Sequence, residues 1–237
     1  VVGVGVVTPS ASLNVAVGDQ RRLAWVRTPL DAVRAAGHEV GGTVNDVVLA
    51  AVTTGLRALL VDRGVLLAHD MTLKALVPVS ERPTDAGPTL GNQVSAVLAP
   101  LPIGDGDAAR RQATIVTAMR RLKASGESAA VGAFLHAADM LPAPVARLLV
   151  QGVEHQPFVN LVVTNVPGPP CPLYLMGAEL LDVCPVLPLA ANLSVGVAIL
   201  SYNGTLNIGI TADASACPDI EVLARGIAAG FAGLVAA

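Results

Sequence analysis

The stretch that most restricts what this chain can fold into is Gly42-Thr43-Val44-Asn45-Asp46 and the apolar run behind it. Thr43 suits a helix N-cap, and Asp46, three residues on, is placed to close a capping box or to favour a helix N-terminus. Val44, Val47/Val48, Ala51/Val52, Gly55/Leu56 and Leu59/Leu60 then return at helical spacing. The other faces, with Leu49, Ala50, Thr53, Thr54 and Ala58, are little more polar, and the first charge after Asp46 is Arg57. A helix apolar nearly all round belongs inside a core, so the pattern predicts a central buried helix from Val44 to about Val61. Its tip carries a carboxamide and a carboxylate on adjacent residues. Asn45 and Asp46 can serve as caps alone, or they can join the free first-turn N–H groups in serving a ligand or an oxyanion.

The composition agrees with a large core. The 237 residues are 53% hydrophobic and 14% charged, with a mean hydropathy of +0.62. Aromatics are 3%, so the interior must be built from Val, Leu, Ala and Ile. A net charge of −3 and the lack of a long basic run argue against nucleic acid, and too few aromatics exist to stack bases. The uncharged run from Val183 to Ala212 is broken by Pro185, Pro188, Asn192, Asn203-Gly204 and Asn207. Its period is two, which speaks for strands and against a membrane span. The three cysteines, Cys171, Cys184 and Cys217, form no C-x-x-C, so neither a disulfide framework nor a zinc site is expected, and a reducing, cytoplasmic setting is. Val1–Val7 has no basic flank or cleavage signature and is not read as a signal peptide.

Along the chain, residues 1–20 read as a linker or crossover, and 21–237 as one domain. Arg21–Arg27 is a strand. A short helix covers Pro29 to about Gly37, with Thr28 as cap and proline in the first turn. After the central helix, 71–79 is a strand with Leu73, Ala75, Val77 and Val79 on one face. Residues 80–91 are a loop, and 92–101 is a strand with Val94, Ala96 and Leu98 on one face. Asp105 or Asp107 caps a helix to about Ala124, with Ile115, Met119 and Leu122 inward and Arg110, Arg111, Arg120 and Arg121 outward. Two more helices are expected over 128–139 and 143–153. Strands follow over 158–164 and somewhere within 173–184.

Asn203-Gly204 is a type I′ hairpin signal. It pairs Ile199 with Ile208, Val197 with Ile210 and Val195 with Ala212, all on one face. The other face carries Gly196, Ala198, Gly209 and Thr211, small enough for a packed helix or for a ligand to come close. A last helix spans 218–236, with Ile220, Leu223, Ile227, Phe231 and Leu234 as its stripe.

Spacing alone shows no catalytic engine. The histidines His38, His69, His136 and His155 form no HExxH pair; His136 and Asp139 read as a surface pair. There is no G-x-S-x-G, no P-loop and no dinucleotide fingerprint.

Several blocks nevertheless resemble, in order, the bacterial wax ester synthase/diacylglycerol acyltransferase family. Thr43-Val44-Asn45-Asp46-Val47-Val48-Leu49-Ala50 resembles that family's ND helix. Ser12-Leu13-Asn14 through Arg21-Arg22 is similar to the entry to its C-terminal half. Val77-Pro78-Val79-Ser80-Glu81-Arg82 with Leu90-Gly91-Asn92 is similar to its PVS-x-R…GN block, and Thr164-Asn165-Val166-Pro167-Gly168-Pro169 to its NVPGP turn. Ser201-Tyr202-Asn203-Gly204, then Gly209, Asp213 and Pro218-Asp219, resemble its terminal pattern.

The resemblance implies an α/β fold of the CoA-dependent acyltransferase (chloramphenicol acetyltransferase-like) class, a mixed sheet packed with helices around the central helix. It implies acyl transfer from acyl-CoA, as substrate and with no cofactor or metal, to diacylglycerol or a long-chain alcohol. The family's base is a histidine of an HHxxxDG motif, which this sequence does not contain. The chain therefore reads as the C-terminal half, inactive alone and partnered by an HHxxxDG domain. The runner-up is a silent domain that binds acyl chains or a partner. On the resemblance, Asn45 and Asp46 support catalysis, while Thr43, Ser80, Arg82, Gly91, Asn92, Asn165, Gly196 and Gly209 contact substrate. Peripheral attachment to membrane or lipid bodies is a further implication.

Overall fold

Eight strands and four helices are built from the described residues, 12–80, 94–125, 158–189 and 192–236, in a computed structural model. The strands β1 (Arg21–Pro29), β2 (Leu73–Ser80), β3 (Val94–Leu101), β4 (Leu161–Val166), β7 (Val195–Tyr202) and β8 (Thr205–Asp213) form one mixed sheet in the order β1-β8-β7-β4-β2-β3. β2, β4 and β7 run parallel, and the other pairings are antiparallel. A separate hairpin, β5 (Tyr174–Leu175) and β6 (Ala178–Glu179), lies between β4 and β7 in sequence. The expected strand within 173–184 is thus this short hairpin.

The helices α1 (Leu30–Glu39), α2 (Val44–Asp62), α3 (Ala108–Ser125) and α4 (Ile220–Val235) cover one face of the sheet. α2 is the expected central helix: Val47, Val48, Leu49, Ala51, Val52, Leu56 and Leu59 are all fully buried. It is the one helix among the described residues long and apolar enough to cross a membrane; here its apolar surface is covered by protein. α4 packs antiparallel to α2 through small residues. Gly226 lies on Gly55 and Ala58, and Gly230 on Ala51 and Thr54, so the two backbones touch where ordinary side chains would hold them apart.

The β7–β8 hairpin has the expected register, with Ile199 opposite Ile208, Val197 opposite Ile210 and Val195 opposite Ala212. Asn203 and Gly204 both take positive φ, 44° and 78°, as a type I′ turn requires. All six apolar partners are buried under the helices.

Two local expectations change, and the inward face of β3, which the sequence left open, is settled. Pro29 is the last residue of β1 and the N-cap of α1, so Thr28 stays in the strand and does not cap. The alternation expected in β3 is present, and the residues that pack into the core beside Val77 are Val97, Ala99 and Leu101. Arg111 does not face out. It is 4% exposed and donates to the Asp105 carbonyl and the Thr54 hydroxyl, both at 2.9 Å. Asp107, not Asp105, caps α3, accepting from Ala109 and Arg110. The helices expected over 128–139 and 143–153, with His136 and His155, lie outside the described residues.

Candidate functional site

The topology brings Ser80, Asn165 and Ser201-Tyr202 to one end of the sheet and leaves Arg21, Asp213 and Asp219 at the other. The parallel strands β2, β4 and β7 all run toward the Asn203-Gly204 turn, so Ser80, Asn165 and Ser201-Tyr202 lie at their carboxyl ends. α4 starts just beyond Asp213, at the opposite end, and α2 runs antiparallel to it. Arg63, just past the end of α2, is held at that far end by Asp219, at 2.7 and 2.5 Å. The N-terminus of α2 therefore points to the end where β2 and β4 finish. Carboxyl ends of parallel strands beside a helix N-terminus are where open α/β sheets bind ligands.

At that helix tip the two adjacent polar residues have different work. Asp46 is 3% exposed. Its Oδ2 accepts from the Thr43 backbone N–H at 2.7 Å and from the Thr43 hydroxyl at 2.8 Å. Its Oδ1 is buried without a hydrogen-bond partner. Asn45 is partly exposed and makes no hydrogen bond among the described residues. Asp46 thus closes a capping box with the Thr43 N-cap, and the Asn45 carboxamide takes no part in it. Arg120 donates to the Gly41 carbonyl just ahead of the tip, tying it to α3.

The Asn165 block closes on the hairpin end. Gly168 N–H donates to Ser201 Oγ at 3.0 Å, and Asn203 N–H to the Pro169 carbonyl at 3.1 Å. A Cβ on Gly168 would sit 2.1 Å from the Ser201 carbonyl oxygen, which is why this turn takes glycine. Asn165, opposite Ile199, shares the helix-side face of the sheet with Val163 and Val197. It therefore stands on the same side as the α2 tip. Ser80 is the last residue of β2; its side chain, with Arg82, Gly91 and Asn92, lies outside the described residues.

Gly196 and Gly209 are on the other face, Gly209 midway along β8 and Gly196 near the start of β7. There the chain itself comes close. A Cβ on Gly209 would meet the Pro185 carbonyl oxygen at 1.7 Å, and one on Gly196 would meet Leu187 at 2.6 Å. The small-residue face is filled by segment 185–189, not by a helix. Asn207, on the same face, is 2% exposed with neither carboxamide atom hydrogen-bonded.

Among the described histidines, His38 and His69 are exposed, and neither is hydrogen-bonded to Asn45 or Asp46. Among the described residues, no group of three or more His, Cys, Asp or Glu is arranged to hold a metal.

The model of the WS/DGAT C-terminal domain matches residues 90–234. The chain belongs to the wax ester synthase/diacylglycerol acyltransferase family. The model of that family's catalytic domain matches residues 2–48, ending just past Asn45-Asp46. The probable diacylglycerol O-acyltransferase tgs1 of Mycobacterium tuberculosis is 38% identical over 238 residues, covering 99% of this chain and 51% of the relative. A putative diacylglycerol O-acyltransferase of Mycobacterium bovis is similar to the same degree and extent. The chain thus spans about half the length of the curated relatives it matches. Among solved structures, the wax ester synthase/diacylglycerol acyltransferase of Marinobacter aquaeolei VT8 superposes with a TM-score of 0.76 at 28% identity, over 96% of this chain and 51% of that one. The nonribosomal peptide synthetase FmoA3 matches at a TM-score of 0.60 and 16% identity, a likeness of fold alone. The expected acyltransferase fold class is therefore met.

Proposed function

We propose that this chain forms the C-terminal half of an acyl-CoA-dependent O-acyltransferase whose acceptor is diacylglycerol or a long-chain alcohol. The observation that carries the reading is that the Asn45-Asp46 tip and the carboxyl ends of β2, β4 and β7 lie at the same end of the sheet, in a chain of this family. An alcohol is a poor nucleophile near neutral pH, so acyl transfer needs a general base within hydrogen-bond reach of the hydroxyl. It also needs donors where the thioester carbonyl becomes an oxyanion. The Asn45 carboxamide, with the first-turn N–H groups of α2, supplies donors of that kind. Asp46 holds the tip in shape through Thr43. The base is an imidazole of an HHxxxDG domain, covalent or separate, facing this end. The reading carries no cofactor or metal and places the enzyme on the cytoplasmic side.

The test is acyl-CoA turnover by the chain combined with the histidine-bearing half. Asn45→Ala should lower kcat by at least about tenfold, the scale of losing one oxyanion donor, with a much smaller change in KM. Wild-type kcat would remove Asn45 from the chemistry. No turnover by the combined halves would favour the silent, acyl-chain-binding reading.

A further inference from the structure

The basic residues of α3 do not share one role. The helix, AARRQATIVTAMRRLKAS, holds Arg110, Arg111, Arg120, Arg121 and Lys123 and no acid. Near its start, Arg110 is paired with Asp105 at 3.1 Å, and Arg111 is buried against α2. Arg120, Arg121 and Lys123, near its end, are all exposed, and among the described residues none is ion-paired with a carboxylate. The packing shows where they stand. α3 runs antiparallel to α2: Arg111 reaches Thr54, whereas Val116 abuts Gly42 and Arg120 donates to the Gly41 carbonyl. At a rise of ~1.5 Å per residue, Lys123 lies about 5 Å beyond Arg120 along the axis. The basic end of α3 therefore stands beside the residues that lead into the Asn45-Asp46 tip. The acids nearest to Gly41 in the chain are Glu39, exposed at the end of α1, and Asp46, buried in its capping box.

We propose that Arg120, Arg121 and Lys123 bind the phosphate groups of the acyl-CoA donor and so aim its thioester at the α2 tip. The proposal rests on the transferase reading, which supplies that donor. Acyl-CoA carries its phosphates at one end of a pantetheine arm and its thioester at the other. The phosphates are therefore held at a distance from the reacting carbonyl, by a cluster that touches no reacting atom. Arginine presents paired N–H groups to phosphate oxygens, and lysine adds a mobile point charge. Exposed cations without acidic partners also attract a polyanion from solution and raise its rate of encounter with the site.

The experiment is steady-state kinetics of the combined halves with palmitoyl-CoA and with palmitoyl-pantetheine, which has the same thioester and no phosphate. Arg121→Gln combined with Lys123→Gln should raise KM for palmitoyl-CoA about fivefold or more with kcat nearly unchanged, the scale of losing two exposed charge pairs. It should leave KM for palmitoyl-pantetheine as in wild type. Wild-type KM for palmitoyl-CoA should rise with salt, and that of the double variant should rise less. Arg110→Gln, at the other end of the helix, should change neither KM. Equal rises with both donors, or no rise with palmitoyl-CoA, would overturn the proposal. So would a double variant that only unfolds at a lower temperature, since the cluster would then serve the α3 dipole alone. If the combined halves do not turn over, calorimetry of CoA binding to the same preparation decides. Binding weakened about fivefold in the double variant upholds the cluster and counts against the transferase reading alone. Equal binding by the variant, or none by wild type, removes the cluster.

Discussion

The contact of α2 with α4 offers the sharpest test of how the candidate site is held, because the same substitution should have opposite signs at two helical glycines. A Cβ at Gly55 would lie 2.5 Å from Ile227 Cγ1, 2.9 Å from the Leu223 carbonyl oxygen and 3.0 Å from Ile227 N. Two of these atoms are backbone, so α4 must shift as a body. Overpacking of this kind costs about 1–3 kcal/mol, and fixed backbone neighbours place it in the upper half of that range. Alanine returns about 1 kcal/mol of helix propensity. Gly55→Ala should therefore destabilise by about 1–2 kcal/mol, lowering the unfolding temperature by roughly 2–8 °C for a chain of this size. At Gly233, on the exposed side of α4, a Cβ meets nothing within 4 Å. Gly233→Ala should stabilise by about 0.5–1 kcal/mol through propensity alone. Urea and thermal unfolding followed by far-ultraviolet circular dichroism read both. If Gly55→Ala is as stable as wild type, or if the two variants move together, the close α2–α4 approach is not what positions the central helix.

Acid should act through Asp213, and thiol reagents should separate the cysteines. Hydrogen bonds from Ser215, Ala216 and Gly18 hold the Asp213 carboxyl down at about 2. A depressed carboxylate stabilises the fold above its unfolded pKa of about 4, and that stability is lost as pH falls toward about 2. Asp213→Asn should flatten the stability profile in that window and leave its slope near neutrality unchanged. Cys217 is buried, and burial pushes its thiol up to about 12. In the native chain a thiol reagent should titrate the exposed Cys171 and Cys184 promptly and Cys217 only on unfolding. Prompt reaction of three thiols would mean that the α4 end opens readily.

What the sequence shows and what it hides follow from range. The central helix and the β7–β8 register were legible because each is set within a short window: a 3.6 period for α2, a two-residue turn and a period of two for the hairpin. The face of β3 was not. Its alternation admits either face, and the pairing with β2 across residues 81–93 decides in favour of Val97, Ala99 and Leu101. Arg111 misleads for the same reason. On a helical wheel it stands with Arg110, yet Thr54 and the Asp105 carbonyl draw it into the α2–α3 contact. Burial of its guanidinium, beside Arg57, lowers its pKa from the ordinary value. Such partners are distant in sequence and leave no periodic trace.

The same distinction separates the two halves of the Asn45-Asp46 pair. Capping is a local property, so Asp46 could be assigned its Thr43 contacts from spacing alone, and the structure places both bonds on one oxygen. The availability of Asn45 is a property of the whole fold. It depends on α4 holding α2 at one tilt, on β2 and β4 ending at the same level, and on no neighbour taking up the carboxamide. Asp46, at the third helical position, takes both bonds from the Thr43 N-cap and so leaves the Asn45 carboxamide out of the capping.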